Sequence, residues 1–387
     1  MDSSKMRRME RIAALCGNPE RSFRTVHVAG TKGKGTTAAM IAAGLSASGY
    51  KTGLYTSPHV YDFTERISVD GDCVSDGELG MQLERATEWL VGDDPATFFE
   101  AFTLAAFLHF REKSVQWAVI EAGTGGKHSA TNIIEPECAV ITSVGMDHVD
   151  ILGPKQTDIA REKAGIARKG KPLVCPKFEE TIARVVEKES VEIGARMRVV
   201  QELFKGNLKT PGEHQRLNAA LAALVLDELE KDGKIRLDKQ AALDAIGGVA
   251  LPGRFEIVSE VPLAIFDGAH TPESCRFLAD SYKEKFGDKG YGLIFACKSG
   301  KDAEGMLRFL LRGAEFVVFP DTGFSDFEHP SRLAEIAVRI RADVKAHTPG
   351  GIEESVDIAT KRGGGVFLLI TGSFYIGALI RRVIRVQ

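Results

Sequence analysis

Paired cysteines are what this chain most plainly lacks. Its six cysteines stand at 16, 73, 138, 175, 275 and 297, with no CxxC spacing among them. Neither a zinc site nor a disulfide framework is implied, and a reducing cytoplasm is the expected compartment. An excess of charge of one sign is also missing, the formal net charge being −3. That removes any electrostatic reason to expect nucleic acid or an anionic membrane as a partner. Long apolar runs are scarce. VFLLITGSFYIGALI, near the C-terminus, is too short for a membrane span and is broken by Thr371, Gly372 and Ser373. It reads as a buried strand, a tight turn and a helix. The first twenty residues, MDSSKMRRMERIAALCGNPE, carry basic side chains but no apolar core of the kind a signal peptide needs. No internal repeat or low-complexity segment is visible.

What is present is an ordinary globular composition, 44% hydrophobic and 27% charged, spread over 387 residues. That length exceeds one usual core, so two domains are expected. Short β-rich runs at Val26–Ala29, Thr52–Tyr55, Trp117–Ile120, Ala139–Thr142 and Pro172–Cys175 alternate with helical stretches at Thr36–Ser48, Phe98–Glu112 and Gln156–Ala167. Longer helical patterns follow at Glu213–Lys231 and Asp238–Ile246. GGVALPGRFE then gathers Gly247, Gly248, Pro252 and Gly253, the best candidate linker. Beyond it, strands are expected at Leu263–Phe266, Gly292–Ala296, Phe316–Phe319 and Val366–Ile370. The pattern predicts an α/β protein. A larger α/β domain with a mostly parallel sheet (residues 1–248) is followed by a smaller Rossmann-like α/β domain (residues 249–387), with a hinge near 248–252.

The segment VHVAGTKGKGTT, residues 26–37, resembles a phosphate loop but breaks the usual P-loop signature. Val28 stands where that signature has its first glycine, and Gly35 separates Lys34 from the hydroxyl of Thr36. The glycines lie between a β-rich run and a good helix, where a helix N-terminus offers free N–H groups to an anion. Gly30, Gly33 and Gly35 let a phosphate approach the backbone. Lys34 has the reach for terminal phosphates, and Thr36 or Thr37 can help hold a metal–nucleotide complex. A tight turn with an exposed lysine is the plainer alternative.

Polar residues where apolar strands stop shift that balance. Ser57 follows the strand ending near Tyr55, and Glu121 follows WAVI. Asp147 and His148 follow AVITSVG, while Asp267 and His270 follow LAIF. Open α/β sheets bind ligands beyond the carboxyl ends of their strands. Taken singly, Glu121 reads equally as a solvated carboxylate, and His148 as a hydrogen-bonded structural histidine.

The blocks GTKGKGTT, YTSPHVYDFTERISVDG, EAGTGGKHSATNII, SVGMDHVDILG, IAREKAGI, HQRLNAALAAL, LPGRFE and DGAHTPES together resemble the folylpolyglutamate synthase/dihydrofolate synthase family of the Mur ligase superfamily. They occur in family order from about residue 17 to the final TGSFYIG. The family's own loop has this Gly-Lys-Gly-hydroxyl spacing, so the mismatch at residues 28 and 35 is expected of it.

The resemblance implies an ATP-dependent ligase that joins the carboxylate of a folate to the amine of L-glutamate through an acyl phosphate, releasing ADP and phosphate. It places ATP on Gly30, Thr31, Lys32, Gly33, Lys34, Gly35, Thr36, Asn218, Arg254, Asp267 and His270. Ser57, Glu121 and His148 match positions that hold Mg2+. Lys34, Lys163 and His148 form the implied catalytic set, with Lys163 in EKAGI matching a lysine the family carries as a carbamate. For Lys163 the alternative is a solvated helix lysine paired with a nearby acid. The wall for the folate is implied at Pro58, His59, Tyr61, Phe63, Arg66 and Ser129, with ordinary loop packing as the alternative for Tyr61, Phe63 and Arg66. The first domain is implied to be a P-loop-type ATP-binding and catalytic domain, and the C-terminal domain to close over nucleotide and glutamate. A monomer is the expected state.

The chain departs from the family pattern at four places. Lys32 replaces an asparagine, Lys127 an arginine, Ser129 an aspartate, and Thr271 the asparagine of DGAHNP. Arginine and lysine differ in geometry, and losing a carboxylate near the reacting centre is a chemical change. Two further readings therefore stand beside the first. One is a Mur-superfamily amide ligase for a different carboxylate or amino acid. The other is a non-ligase relative that binds nucleotide or a partner.

Overall fold

A computed structural model describes residues 4–88, 97–363 and 367–384. The described chain divides into two compact units. The first runs to Leu208 and resumes at His214–Val249; the second comprises Lys209–Glu213 and the chain from Ala250.

The first unit is built on an eight-stranded sheet. Its strands are β1 (Arg24–Ala29), β2 (Thr52–Tyr55), β3 (Ile67–Val69), β4 (Asp72–Cys73), β5 (Trp117–Glu121), β6 (Cys138–Ile141), β7 (Pro172–Cys175) and β8 (Arg196–Val199). Their order is β4-β3-β2-β5-β1-β6-β7-β8, and only β3 and β4 run antiparallel to their neighbours. The central strands are apolar along nearly their whole length, the pattern expected when helices cover both faces of a parallel sheet. On one face Met40, Ile41 and Leu45 of the helix Lys34–Ala47 meet Leu221, Val225 and Leu229 of the helix Glu213–Lys231. On the other, Phe102, Phe107 and Phe110 of the helix Phe98–Glu112 cover Tyr55 and Ile120. Each such side chain contributes about 1.5–3 kcal/mol of transfer free energy. Thr97 starts the last helix by a capping box, accepting from Glu100 N–H while Glu100 Oε2 accepts from Thr97 N–H at 2.7 Å.

The register brings the strand ends to one edge. Val28 of β1 lies beside Glu121 of β5, Tyr55 of β2 beside Ile120, and Ala29 beside Ile141 of β6. The loops after Ala29, Tyr55, Glu121 and Ile141 therefore leave the sheet together.

The second unit has a six-stranded sheet of β9 (Glu256–Glu260), β10 (Leu263–Phe266), β11 (Tyr291–Phe295), β12 (Ala314–Val318), β13 (Lys345–His347) and β14 (Phe367–Thr371). The order is β13-β12-β11-β14-β10-β9, with only β9 antiparallel. Val366, the expected start of the last strand, lies outside the described residues. Beyond β14 come Gly372 and the helix Phe374–Ile384, the strand, turn and helix expected for that apolar stretch. Among the described residues no helix is long and apolar enough to cross a membrane.

Two expected boundaries move for packing reasons. Gly247 and Gly248 finish the helix Lys239–Gly248 rather than opening a linker; a Cβ at Gly247 would overlap the Asn207 carbonyl. The helix expected over Gln156–Ala167 stops at Ala164, because Gly165 caps it where a Cβ would come within 2.5 Å of Lys127 Cβ. That close approach brings the EKAGI segment against the GGKHS loop.

Candidate active site

The glycine loop is held from below by the chain leaving β6. Thr31 N–H donates to the Ser143 carbonyl at 3.0 Å and Lys32 N–H to Ser143 Oγ at 2.8 Å. Thr142 Oγ1 donates to the Lys32 carbonyl at 2.6 Å. Thr31 Oγ1 accepts from Gly145 N–H at 3.0 Å, so its hydroxyl is engaged in shaping the loop. Gly33 precedes the helix Lys34–Ala47 with φ 81°, and a Cβ there would strike the Asn218 amide. A substituted residue would meet both strain and overlap at that position. Asn218 is buried, donates to Gln215 Oε1 at 3.0 Å, and accepts from Thr37 Oγ1 at 3.3 Å. Thr36 is also buried, in the first turn of that helix.

Lys34 is the first residue of the helix, and its Nζ stands 3.9 Å from Glu121 Oε1. Glu121 is buried at the end of β5, and its Oε2 accepts from Ser57 N–H at 2.8 Å. A Cβ on Gly35 would sit 3.3 Å from the same oxygen. The loop therefore passes directly over a buried carboxylate. His148 takes a left-handed conformation, φ 48°, ahead of the short helix Val149–Leu152, and its side chain makes no capping bond. Its half-exposed ring lies 3.7 Å from Asp147 Oδ1.

Lys34, Ser57, Asp147 and His148 border a cavity of about 710 Å³, whereas Glu121 lies behind its wall. From the expected set, Gly30, Lys34, Ser57, Pro58, Arg66, Ser129, His148 and Lys163 line it. His59, Tyr61 and Phe63 do not. Arg66 Nε donates to His59 Nδ1 at 2.9 Å, and its guanidinium lies over Phe98 and Phe102 at 5.1 and 5.3 Å. Phe63 packs on His59 and Phe98. Glu65 ties this loop down by accepting from the N–H groups of Val60, Tyr61 and Asp62. Ser129 is buried; its Oγ accepts from Gly123 N–H at 3.2 Å and shares a 2.9 Å bond with Thr131 Oγ1. Thr131 in turn bonds Nε2 of His27, a core residue whose pKa burial pushes down to about 3.

Lys163 is not the solvated helix lysine that one alternative would have it be. It is 3% exposed. Burial first, and the Lys34 cation second, push its pKa down to about 7. Its spacing from Ile159, Ala160 and Ala164 puts it on an apolar helix face, a signal readable in the sequence. The pair His128–Glu162, joined at 2.8 Å on the cavity wall, had no such signal.

In the second unit Arg254, Asp267 and His270 gather beyond β10. Asp267 Oδ2 accepts from Phe255 N–H and Oδ1 from Ala269 N–H, each at 2.9 Å. Loss of hydration raises the Asp267 pKa, opposed by the Arg254 cation. The Arg254 guanidinium lies 4.5 Å from the Phe374 ring centre, and His270 approaches the same ring. His270 Nδ1 is 2.7 Å from the Gly268 carbonyl. Thr271 caps the helix Pro272–Phe286.

Among the described residues no three His, Cys, Asp or Glu side chains are grouped to form a cage for a metal. A hard divalent cation that binds through phosphates needs only one or two protein carboxylates. Buried Glu121 beneath the loop fits that requirement, with Ser57 and His148 on the adjoining cavity wall.

A glycine loop at a strand–helix turn, a carboxylate at the next strand end and a lysine between them define a nucleotide-binding ligase domain. Residues 28–193 match the Mur ligase middle domain. The dihydrofolate synthase/folylpolyglutamate synthase of Bacillus subtilis is 33% identical, the alignment covering 97% of this chain and 94% of that one. Folylpolyglutamate synthase of Mycobacterium tuberculosis, solved with ADP and AMPPCP, superposes with a TM-score of 0.88 at 28% identity over 98% of this chain and 95% of that one. Escherichia coli FolC in complex with DHPP and ADP gives 0.85 at 30% identity, covering 98% and 93%. The bifunctional enzyme of Yersinia pestis, complexed with AMPPNP and a Mn ion, gives 0.84 at 28%, covering 98% and 93%. The chain belongs to the folylpolyglutamate synthase/dihydrofolate synthase family.

Proposed function

We propose that this protein is an ATP-dependent carboxylate–amine ligase that adds L-glutamate to a folate. The observation that carries the reading is Lys34 at the head of its helix, 3.9 Å from the buried Glu121 carboxylate, beside a cavity large enough for an organic acid. The substrate carboxylate attacks the γ-phosphate, forming an acyl phosphate and ADP. The amine then displaces phosphate. Two anions must meet in the first step, so positive charge at Lys34 and the loop amides is the main requirement. Mg2+ is the metal this reading takes, held by Glu121, Ser57 and His148, and it would neutralise phosphate charge. Arg254, Asp267, His270 and Asn218 contact the nucleotide, and Arg66 and Ser129 face the acid. Free cysteines throughout suit the cytoplasm.

Release of ADP measured with dihydropteroate, tetrahydrofolate and folate diglutamate, each with and without glutamate, tests this. Turnover that needs both an acid and glutamate supports the reading, and the dihydropteroate arm decides whether dihydrofolate synthase chemistry accompanies it. Turnover with neither would point to a non-ligase nucleotide enzyme.

A different acid is the second reading, favoured by the hydroxyl at Ser129 where the family pattern has a carboxylate. Ser129→Asp should change the preference among these acids more than the affinity for ATP. A shift in ATP affinity alone, measured by calorimetry, would place this loop on the nucleotide side.

Lys163 is read as the carbamate-bearing lysine. Carbon dioxide reacts with a neutral amine, and a pKa near 7 supplies that form at physiological pH. Activity should fall in CO2-depleted buffer and return with bicarbonate. Indifference to both would leave Lys163 as a buried amine.

A further inference from the structure

His128 stands on the cavity wall with one side of its ring fixed and the other open. Its Nδ1 lies 2.8 Å from Glu162 Oε2, and its backbone N–H donates to Glu162 Oε1 at 2.8 Å. One carboxylate, 4% exposed, therefore grips both the ring and the backbone of the same residue. The surrounding chain closes on that grip. Lys127 N–H donates to the Glu162 carbonyl at 2.8 Å, and a Cβ on Gly125 would come within 2.8 Å of Glu162 Oε1. An ionised carboxylate only accepts, so the shared hydrogen belongs to Nδ1. The neutral ring then carries its lone pair on Nε2. The side chain is 28% exposed, and no described residue hydrogen-bonds Nε2.

We propose that His128 is the proton acceptor for the amine nucleophile, with Glu162 as its positioning residue; the proposal rests on the ligase reading above. The α-amine of a free amino acid is an ammonium ion at neutral pH and has no lone pair for attack. Nε2 of His128 takes one proton from it. The freed nitrogen pair forms the C–N bond as the acyl C–O bond to phosphate breaks. The second nitrogen proton leaves with the phosphate, giving the amide, hydrogen phosphate and an imidazolium that returns its proton to solvent. Three of the other bases on the wall are committed; Asp147 and Asp150 also line it, and a carboxylate is a weaker base than imidazole. Glu100 is held by Arg8 at 2.9 Å and by its capping bonds. His148 belongs to the expected metal set, and Lys163 to the expected carbamate.

The test compares two nucleophiles. Hydroxylamine is largely unprotonated at neutral pH, so it captures the acyl phosphate as a hydroxamate without a base. His128→Ala should lower glutamate-dependent amide formation by about 10²-fold or more. Hydroxamate formation should stay near the wild-type rate, which also shows the variant folded and able to make the acyl phosphate. Added imidazole should restore part of the glutamate reaction. Glu162→Gln should give the same selective loss, and the double variant should lose no more than His128→Ala alone. Equal losses with both nucleophiles, or an undiminished glutamate reaction, would overturn the role of His128 and leave the ligase reading standing. Wild-type protein that forms no hydroxamate with any folate overturns the ligase reading and this role together.

Discussion

Lys34→Ala should lower ATP turnover by about 10²–10³-fold while the protein keeps its fold, the usual loss when one preorganised charge is removed from a developing anion. The side chain is 19% exposed and not on an open surface turn, so the loop already holds it. Its nearest polar partners are the Thr31 carbonyl at 3.5 Å and Glu121 Oε1 at 3.9 Å. Neither distance describes a tight pair. The ammonium is placed to turn toward phosphate oxygens without breaking a strong bond. Removing it opens no core cavity, and Glu121 keeps the Ser57 N–H as a partner, so thermal unfolding should change little. A second effect follows from the position of Lys163. The Lys34 cation helps to hold the Lys163 pKa down, so its loss should favour protonated Lys163 and make the remaining activity respond more to added bicarbonate. Near-normal turnover in the alanine variant would remove Lys34 from the mechanism.

The parts of this molecule legible in the sequence are those where one residue type dominates a run. The central strands are nearly continuous Val, Ile, Ala and Phe because both sheet faces are covered. Their ends are sharp because Gly30, Ser57 and Glu121 interrupt them. The edge strands gave no such contrast. Arg196–Val199, Glu256–Glu260 and Lys345–His347 carry charge and are only partly buried, as unpaired edges commonly are. The Ile67–Val69 and Asp72–Cys73 pair is too short to show a period.

At the site, residues that follow strands could be placed because sheet register fixes them. His128 and Glu162 could not. They are 34 positions apart, and their contact depends on how closely a helix passes a loop. Gly126 and Gly165 permit that approach, since a Cβ on either would strike the facing chain. Sequence spacing alone carries no information about such a distance. The Arg66 surroundings were half legible. The aromatic residues near it were visible, but Phe98 and Phe102 of a later helix share its guanidinium, which no local pattern announces.

The Mg2+ dependence of turnover should separate Glu121 from His148. Glu121 is buried at the end of β5 with one oxygen on the Ser57 N–H, and its carboxylate would be the oxygen donor for the metal. The Lys34 ammonium lies 3.9 Å from its other oxygen, on the same side of the site. Magnesium binds oxygen and keeps several waters, which makes one buried carboxylate a sufficient protein anchor. Glu121→Gln should therefore raise the Mg2+ concentration needed for half-maximal turnover by at least tenfold, a change of about 1.4 kcal/mol in metal affinity. Excess Mg2+ should restore part of the rate, and nucleotide binding measured without metal should stay close to wild type. His148→Ala should move the requirement the same way but less. A ring nitrogen is a poorer partner for magnesium than an oxygen, and this ring is half exposed beside Asp147. It makes no capping bond, so its removal should not unravel the helix Val149–Leu152. A variant that loses activity at an unchanged Mg2+ requirement would show that its residue does other work. For Glu121 that work would be holding Ser57 and Lys34 in place, and it would appear as weakened nucleotide binding in the absence of metal.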